Sequence, residues 1–168
     1  MLNTVSIYTE LKNTDLHAMS AAEALVDLMG VSNLKRLKRY QHWRITLEGD
    51  IQNVLKNSYA IVNVNKEHFR VGDMPAMNVS KGAHGFRFEV QPVTPVDRSG
   101  LAKSLSQKSG VKVHDVAKTL VWEIVLESAE SRAAVEQTLV AHILNTTSRT
   151  QGLLVNPILE TVQLLDHI

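Results

Sequence analysis

The chain has no cysteine, few aromatic residues, almost no net charge and no long apolar run. Without cysteine it can form no disulfide, no thiolate metal site and no cysteine nucleophile. Aromatic residues make up 5% of the sequence and the formal net charge is +1, which argues against a base-stacking or strongly basic nucleic-acid surface. No apolar segment is long enough to cross a bilayer, and the polar residues 1–10 do not resemble a signal peptide. The sequence therefore predicts a cytoplasmic protein.

The clearest pattern in the sequence is an internal duplication. The segment WRITLE at residues 43–48 recurs as WEIVLE at residues 122–127, and a Gly-Val pair precedes each one, at 30–31 and 110–111. Val62-Asn63 with Glu67 recurs as Val155-Asn156 with Glu160 at the same spacing. This ordered set predicts two modules, at residues 1–71 and 86–168. Residues 72–85, which are punctuated by glycine and proline, form the predicted linker.

The apolar periodicity predicts the same elements in both modules. A first strand is followed by a helix, with Thr14 or Asp15 and, in the second copy, Asp97 as capping residues. Two strand-like runs then predict a hairpin, at residues 33–38 and 42–48 and again at 112–117 and 120–127. A second helix and a last strand, near residues 67–71 and 159–165, end each copy. This is the order of an α+β ferredoxin-like module, so we expect two such modules paired about an approximate twofold axis.

No catalytic, cofactor or metal site stands out in this sequence. The histidines lack paired metal-ligand spacing and are each predicted to be at the surface or half-buried: His17, His42, His68, His84, His114, His142 and His167. The segment KGAHG at residues 81–85 precedes a strand, which favours a flexible loop over a phosphate-binding loop. Trp43 and Trp122 begin alternating runs and are expected to be core anchors.

The densest charge run is KRLKR at residues 35–39. It can meet phosphate, RNA or an acidic partner. It also suits a strand whose long charged side chains stay in water and protect a sheet edge from pairing. The small net charge favours the solvated edge.

The second copy carries several short motifs: FRFEV at 86–90, DRSG at 97–100, Gly-Val at 110–111, WEIVLE at 122–127 and LLVNPILE at 153–160. These resemble the PurS family, which typically has an Asp-Pro-x-Gly turn before its first helix and a Leu-Leu-x-Asn-Pro element before its last strand. Here Arg98 replaces the proline, and residues 145–152 look like extra length. The first copy is more divergent, since the DLHA segment at 15–18 lacks the proline and glycine and the IVNV segment at 61–64 keeps only the asparagine.

The resemblance implies a non-catalytic structural subunit of glutamine-dependent phosphoribosylformylglycinamidine synthase, an enzyme of de novo purine biosynthesis. PurS pairs as a dimer and bridges the large ATP-using synthetase subunit and the glutaminase subunit, where it supports assembly and ammonia transfer. The chain itself is then expected to bind no cofactor, with ATP, Mg and glutamine bound by the partner subunits. The family also implies no nucleic-acid or membrane partner and is compatible with a homo-oligomer. The candidate partner interface comprises Asp97, Arg98, Gly100, Asn156 and Pro157.

A second hypothesis comes from the fold class alone. Paired ferredoxin-like modules also act as regulatory ligand sensors, which bind a small molecule at the interface between the modules. An independent enzyme is less well supported than either hypothesis, because the sequence offers no set of catalytic side chains.

Overall fold

The computed structural model describes residues 1–148 and 152–165. These residues form an α+β fold with a six-stranded antiparallel sheet. The first half contains β1 (Leu2–Leu11), α1 (Leu16–Asp27), β2 (Leu34–Glu48), α2 (Ile51–Asn57) and β3 (Glu67–Val71). The second half contains β4 (Ala83–Pro92), α3 (Ser99–Ser109), β5 (Lys112–Glu127), α4 (Arg132–Thr138), a π-helical segment (Leu139–Leu144) and β6 (Glu160–Leu165). The order of strand, helix, long strand, helix and strand therefore occurs twice. In the sheet the strands lie in the order β3-β1-β2-β5-β4-β6.

The two predicted hairpins are wrong, because β2 and β5 are single continuous strands of 15 and 16 residues. A tight hairpin needs central residues that accept a positive φ, and among the described residues only glycines have one. No glycine lies near residues 39–41 or 117–120. Tyr40, which suits a strand, is buried at the point where the sequence predicted a turn.

The chain divides into two compact units, and each unit draws elements from both halves of the sequence. Unit 1 comprises Met1–Asn13, Tyr40–Pro75 and Pro95–Thr119, and unit 2 comprises Thr14–Arg39, Ala76–Thr94 and Leu120–Ile168. The long strands β2 and β5 each contribute one end to either unit. The predicted modules at 1–71 and 86–168 are the two copies of the repeat along the sequence. The compact units are different sets of residues, because each unit packs elements from both copies together.

The core of unit 1 lies between its strands and the helices α2 and α3. Ile45 and Leu47 of β2 are fully buried there, as is Val54 of α2. Ala102 and Leu105 of α3 pack into the same cluster, although α3 comes from the second half of the chain. The first half therefore completes its core with a helix from the second half.

Unit 2 is built in the same way, because its core includes α1 from the first half of the chain. Ala18 and Leu25 of α1 pack against Phe88 of β4 and against Val135 of α4 in one apolar cluster. The π-helical segment adds three buried side chains to this cluster: Leu139, Ile143 and Leu144.

Trp43 and Trp122 are core anchors, as the sequence predicts. They are 4% and 6% exposed and belong to the cores of unit 1 and unit 2, respectively. Trp43 lies opposite Ile7 on β1, and Trp122 lies opposite Phe88 on β4. Each tryptophan stands five residues before the last residue of its long strand, so the two occupy matching places in the repeat.

The predicted caps hold two helix starts. Asp15 accepts hydrogen bonds from the backbone N–H groups of His17 and Ala18, so Asp15 rather than Thr14 caps α1. Asp97 accepts one from Ser99 at 2.9 Å, although Arg98 holds the formal cap position of α3. This hydrogen bond from the Ser99 backbone holds the pKa of the Asp97 carboxyl below its ordinary value.

The predicted flexible loop at residues 81–85 is wrong for its last three residues, which begin strand β4. Ala83, His84 and Gly85 pair with residues of β5. A Cβ at Gly85 would overlap the side chains of Met77 and Val79, so the strand needs glycine where the preceding segment lies across it. None of the described helices combines the length and apolar character that a membrane span requires.

Residues 35–39 lie beyond the part of β2 that pairs with β1, which covers residues 41–48, but only some side chains of this charge run stay in water. Lys35 is largely exposed and pairs with Glu127. Arg39 holds Asp15 through two hydrogen bonds of 2.9 Å, which tie strand β2 to the cap of α1. Lys35 and Arg39 are therefore held by carboxylates of unit 2.

Candidate functional site

The first three candidate interface residues lie at the start of α3, in unit 1. Asp97 and Gly100 are exposed, and a Cβ at Gly100 would meet no described atom within 4 Å. The Arg98 guanidinium lies 5.8 Å from the centre of the Trp43 ring, and the Lys118 ammonium approaches the same ring at 4.7 Å. These cation–π contacts fix Arg98 against the core of unit 1, while Asp97 and Gly100 remain accessible to a partner.

The other two candidates, Asn156 and Pro157, lie in an exposed turn before β6, in unit 2. The backbone N–H of Asn156 donates to the Glu160 carboxylate at 2.9 Å. The Asn156 side chain in turn accepts from the backbone N–H of Ile158 at 3.1 Å, and its carbonyl accepts from Glu160. Three residues thus lock the backbone of the turn, so the side chains at its tip are free to serve another role.

The first half of the chain builds the same turn before β3. The backbone N–H of Asn63 donates to the Glu67 carboxylate at 2.7 Å, and the Asn63 side chain accepts from Asn65 at 3.2 Å. The carbonyl of Asn63 accepts from Lys66 and Glu67, as that of Asn156 accepts from Leu159 and Glu160. The asparagine and glutamate that recur in the sequence therefore have the same structural task in both copies.

The two turns differ in the side chains at their tips. The first turn presents Val64, Asn65 and Lys66, whereas the second presents Pro157, Ile158 and Leu159. Ile158 and Leu159 are 82% and 63% exposed. Neighbouring Val93, whose backbone N–H donates to the Leu159 carbonyl at 2.9 Å, is also exposed. We call Val93, Pro157, Ile158 and Leu159 the apolar tip, and its chemistry suits contact with another protein.

Unit 2 also buries an ionic cluster that the sequence analysis did not single out. Glu123 is only 3% exposed and lies directly opposite Arg87 on the neighbouring strand. Two nitrogens of Arg87 donate to Glu123 Oε2 at 2.9 and 2.6 Å, and Arg36 reaches Oε1 at 3.0 Å. Both carboxylate oxygens are thereby satisfied by cations, which is the arrangement that a buried charge requires.

One histidine departs from its predicted position. His42 is buried, its ring stacks on Tyr8 at 4.3 Å between centroids, and its Nε2 lies 3.0 Å from Ser6 Oγ. The other histidines among residues 1–148 are exposed or half-buried, and His167 lies outside the described residues. In the described part of the chain, no three His, Asp or Glu side chains are grouped as a metal site would require.

Comparisons of the chain with protein-family models, with curated proteins and with solved structures found no match. Three of the four apolar-tip residues lie within the LLVNPILE motif, where an exposed turn with two large aliphatic side chains is the signal that the sequence offers. The ionic cluster joins residues from three separate strands, so nothing local in the sequence could identify it.

Proposed function

We propose that this chain is a tandem PurS-like protein, a non-catalytic structural subunit of a cytoplasmic glutamine-dependent phosphoribosylformylglycinamidine synthase. It supports assembly of the large synthetase subunit with the glutaminase subunit and the transfer of ammonia between them. The observation that carries this proposal is the doubled Asn–Glu turn, because it gives a structural role to the family-like motif in both copies. ATP, Mg and glutamine are bound by the partner subunits in this proposal.

The exchange of elements between the halves supports the paired arrangement. In unit 1 the strand order is β3-β1-β2-β5, with α2 and α3 packed into one core. A ferredoxin-like module has this layout when α3 and the first part of β5 take the places of its first helix and second strand. Unit 2 repeats the layout with α1 and the first part of β2. We infer two ferredoxin-like modules that arose by duplication and exchange these elements as two chains of a dimer would.

The apolar tip is the proposed contact with the large synthetase subunit. Burying Ile158 in a partner would contribute roughly 1.5–3 kcal/mol, enough to change affinity by a factor of ten or more. The corresponding tip of the first copy has Asn65 and Lys66 in place of Ile158 and Leu159, so it lacks these two aliphatic side chains. A duplicated protein can specialise its halves in this way, with one copy keeping the docking residues.

A reconstitution assay tests the proposal. The large synthetase and glutaminase subunits of the same organism are mixed with and without this chain, and formation of the amidine product is followed with glutamine or with ammonium as the nitrogen source. Glutamine-dependent turnover is expected to need the chain, whereas turnover with ammonium depends on it less, since bulk ammonia needs no transfer path. Equal glutamine-dependent turnover without the chain would contradict the proposed function.

A matched pair of variants tests the docking surface. The double variant Ile158→Asn with Leu159→Lys gives these two positions the side chains of the first turn and leaves Asn156 and Glu160 in place. It is expected to weaken association with the large subunit at least tenfold, measured by surface plasmon resonance. Asn65→Ala with Lys66→Ala, in the first turn, is the control and should leave association unchanged. An unchanged affinity for the first variant excludes the apolar tip as the contact.

A further inference from the structure

A cavity of about 370 Å³ lies wholly within unit 2. Its apolar floor includes Leu126 at the end of β5, Val135 of α4 and Ile143 of the π-helical segment, all of them buried. Residues 29–33, which follow α1, form another wall. At about 30 Å³ for each water-sized group, the space accommodates roughly a dozen non-hydrogen atoms. This volume falls within the range of small-molecule sites in proteins.

Polar side chains stand at the mouth of this cavity. Glu130, Thr138 and His142 are exposed lining residues, and their side chains have no hydrogen-bond or ion-pair partner within the described part of the chain. The backbone of Glu130 is nevertheless fixed, because its N–H donates to Ser128 Oγ at 3.1 Å and its carbonyl lies 3.0 Å from His84 Nε2. The Glu130 carboxylate thus projects from a held backbone, and none of the described residues pairs a cation with it.

The π-helical segment shapes one wall of the cavity. Segments of this kind widen a helix by one residue and are frequently found at functional sites. Here the segment places His142 and Ile143 side by side in the lining, and the His142 carbonyl accepts a hydrogen bond from Gly152 at 2.9 Å. The hydrogen bond from Gly152 therefore holds the backbone of this wall, which presents one polar and one apolar side chain to the cavity.

We propose that this cavity binds an organic amine with an apolar body. The described lining residues include no lysine or arginine, and Glu130 is the one carboxylate among them. An ammonium group pairs with the Glu130 carboxylate, and Thr138 and His142 offer further hydrogen-bonding groups beside it. The hydrocarbon part of the ligand lies on Leu126, Val135 and Ile143. The site goes beyond the proposed assembly role, and its test uses the chain alone.

The test compares three probes that share one apolar body: 4-phenylbutylamine, 4-phenylbutan-1-ol and 4-phenylbutyrate. Titration calorimetry on the full chain at neutral pH is expected to give the amine a Kd about fivefold or more below that of the alcohol, the scale of a partly exposed ion pair. The carboxylate should bind more weakly than either. Absence of binding by the amine, or equal binding of the amine and the carboxylate, overturns the proposal.

Variants locate the binding site. Glu130→Gln should bring the amine and the alcohol to within twofold of each other, whereas Glu23→Gln, at an exposed position on α1 away from the cavity, should keep the difference. Thr138→Phe, at an exposed position on the rim, should fill the mouth and reduce binding of all three probes. Methyl resonances of Val135 and Ile143 should shift on addition of the amine to the unaltered chain. An unchanged probe preference in Glu130→Gln, or unshifted methyl resonances, contradicts the assignment.

Discussion

Single residues anchor each core of this molecule. Trp122 lies within the apolar cluster of unit 2 and is 6% exposed, so its removal leaves a cavity that the neighbouring strands cannot easily close. We expect Trp122→Ala to lower the free energy of unfolding by about 3–5 kcal/mol, the usual cost of deleting a buried aromatic side chain. Urea denaturation followed by circular dichroism measures the change. A loss below about 1 kcal/mol would show that Trp122 is not a core anchor.

The charged residues of β2 and β4 differ widely in what they contribute. Replacing Arg87 with Met removes one of the two arginines that pair with the buried Glu123 and leaves its pair with Arg36, and removing one side of a buried pair typically costs about 3–5 kcal/mol. Lys35→Met breaks only a pair whose side chains are 53% and 58% exposed, which should cost less than about 1 kcal/mol. The same denaturation experiment ranks the two variants, and equal losses would contradict the burial of the Glu123 cluster.

The sequence run at residues 35–39 shows where residue-level prediction fails. Composition alone predicts that five neighbouring residues with four cations lie on a solvated face. The structure instead gives Arg36 a buried partner and Arg39 a capping carboxylate. The partners Glu123 and Asp15 are 87 and 24 positions away in the sequence, by subtraction of their numbers, so only the folded chain reveals them.

At the scale of elements, the sequence predicts the capping residues of α1 and α3, because capping depends on residues within one turn. The pH dependence of α3 follows from its cap. The folded-state pKa of Asp97 is lowered by the backbone hydrogen bond from Ser99, so the stabilisation is present above the ordinary aspartate pKa of about 3.9 and is lost as the pH falls through the folded-state value. Asp97→Ala should therefore be less stable than the unaltered chain at pH 7, and the gap should close in strong acid. Thermal melts across this range measure the gap, and one that is constant with pH contradicts the role of the charge.

The long strands were the main error at this scale. Two apolar runs with a polar break between them have the same local pattern whether they fold back as a hairpin or continue as one strand. The choice depends on residues 39–41, which lack the glycine or asparagine that a tight turn favours, and on the burial of Tyr40. The cavity in unit 2 was equally hidden, since its lining comes from three segments that only packing brings together.

For the whole molecule, the two units cannot be separated by cutting the chain once. A fragment of residues 1–75 lacks α3 and β5, so its buried residues Ile45 and Val54 would lose part of their cover. We expect fragments 1–75 and 76–168 to be unfolded or self-associated when purified alone. An equimolar mixture should restore a cooperative unfolding transition and a 1:1 complex in analytical ultracentrifugation. A monomeric fragment 1–75 with its own cooperative transition would show that the exchange of elements is dispensable.

The exchanged helix also has a consequence for the synthesis of the chain. Unit 1 begins with Met1–Asn13 but is not complete until Thr119 has been made. At about 5–20 residues per second, the roughly 45 residues after Pro75 take the ribosome about 2–9 seconds. During that interval the apolar faces of β1 and β2 have no α3 to cover them, and exposed surface of this kind is what chaperones hold. Because synthesis runs from the N-terminus, the first strands of unit 1 must wait for α3 before their core can be completed.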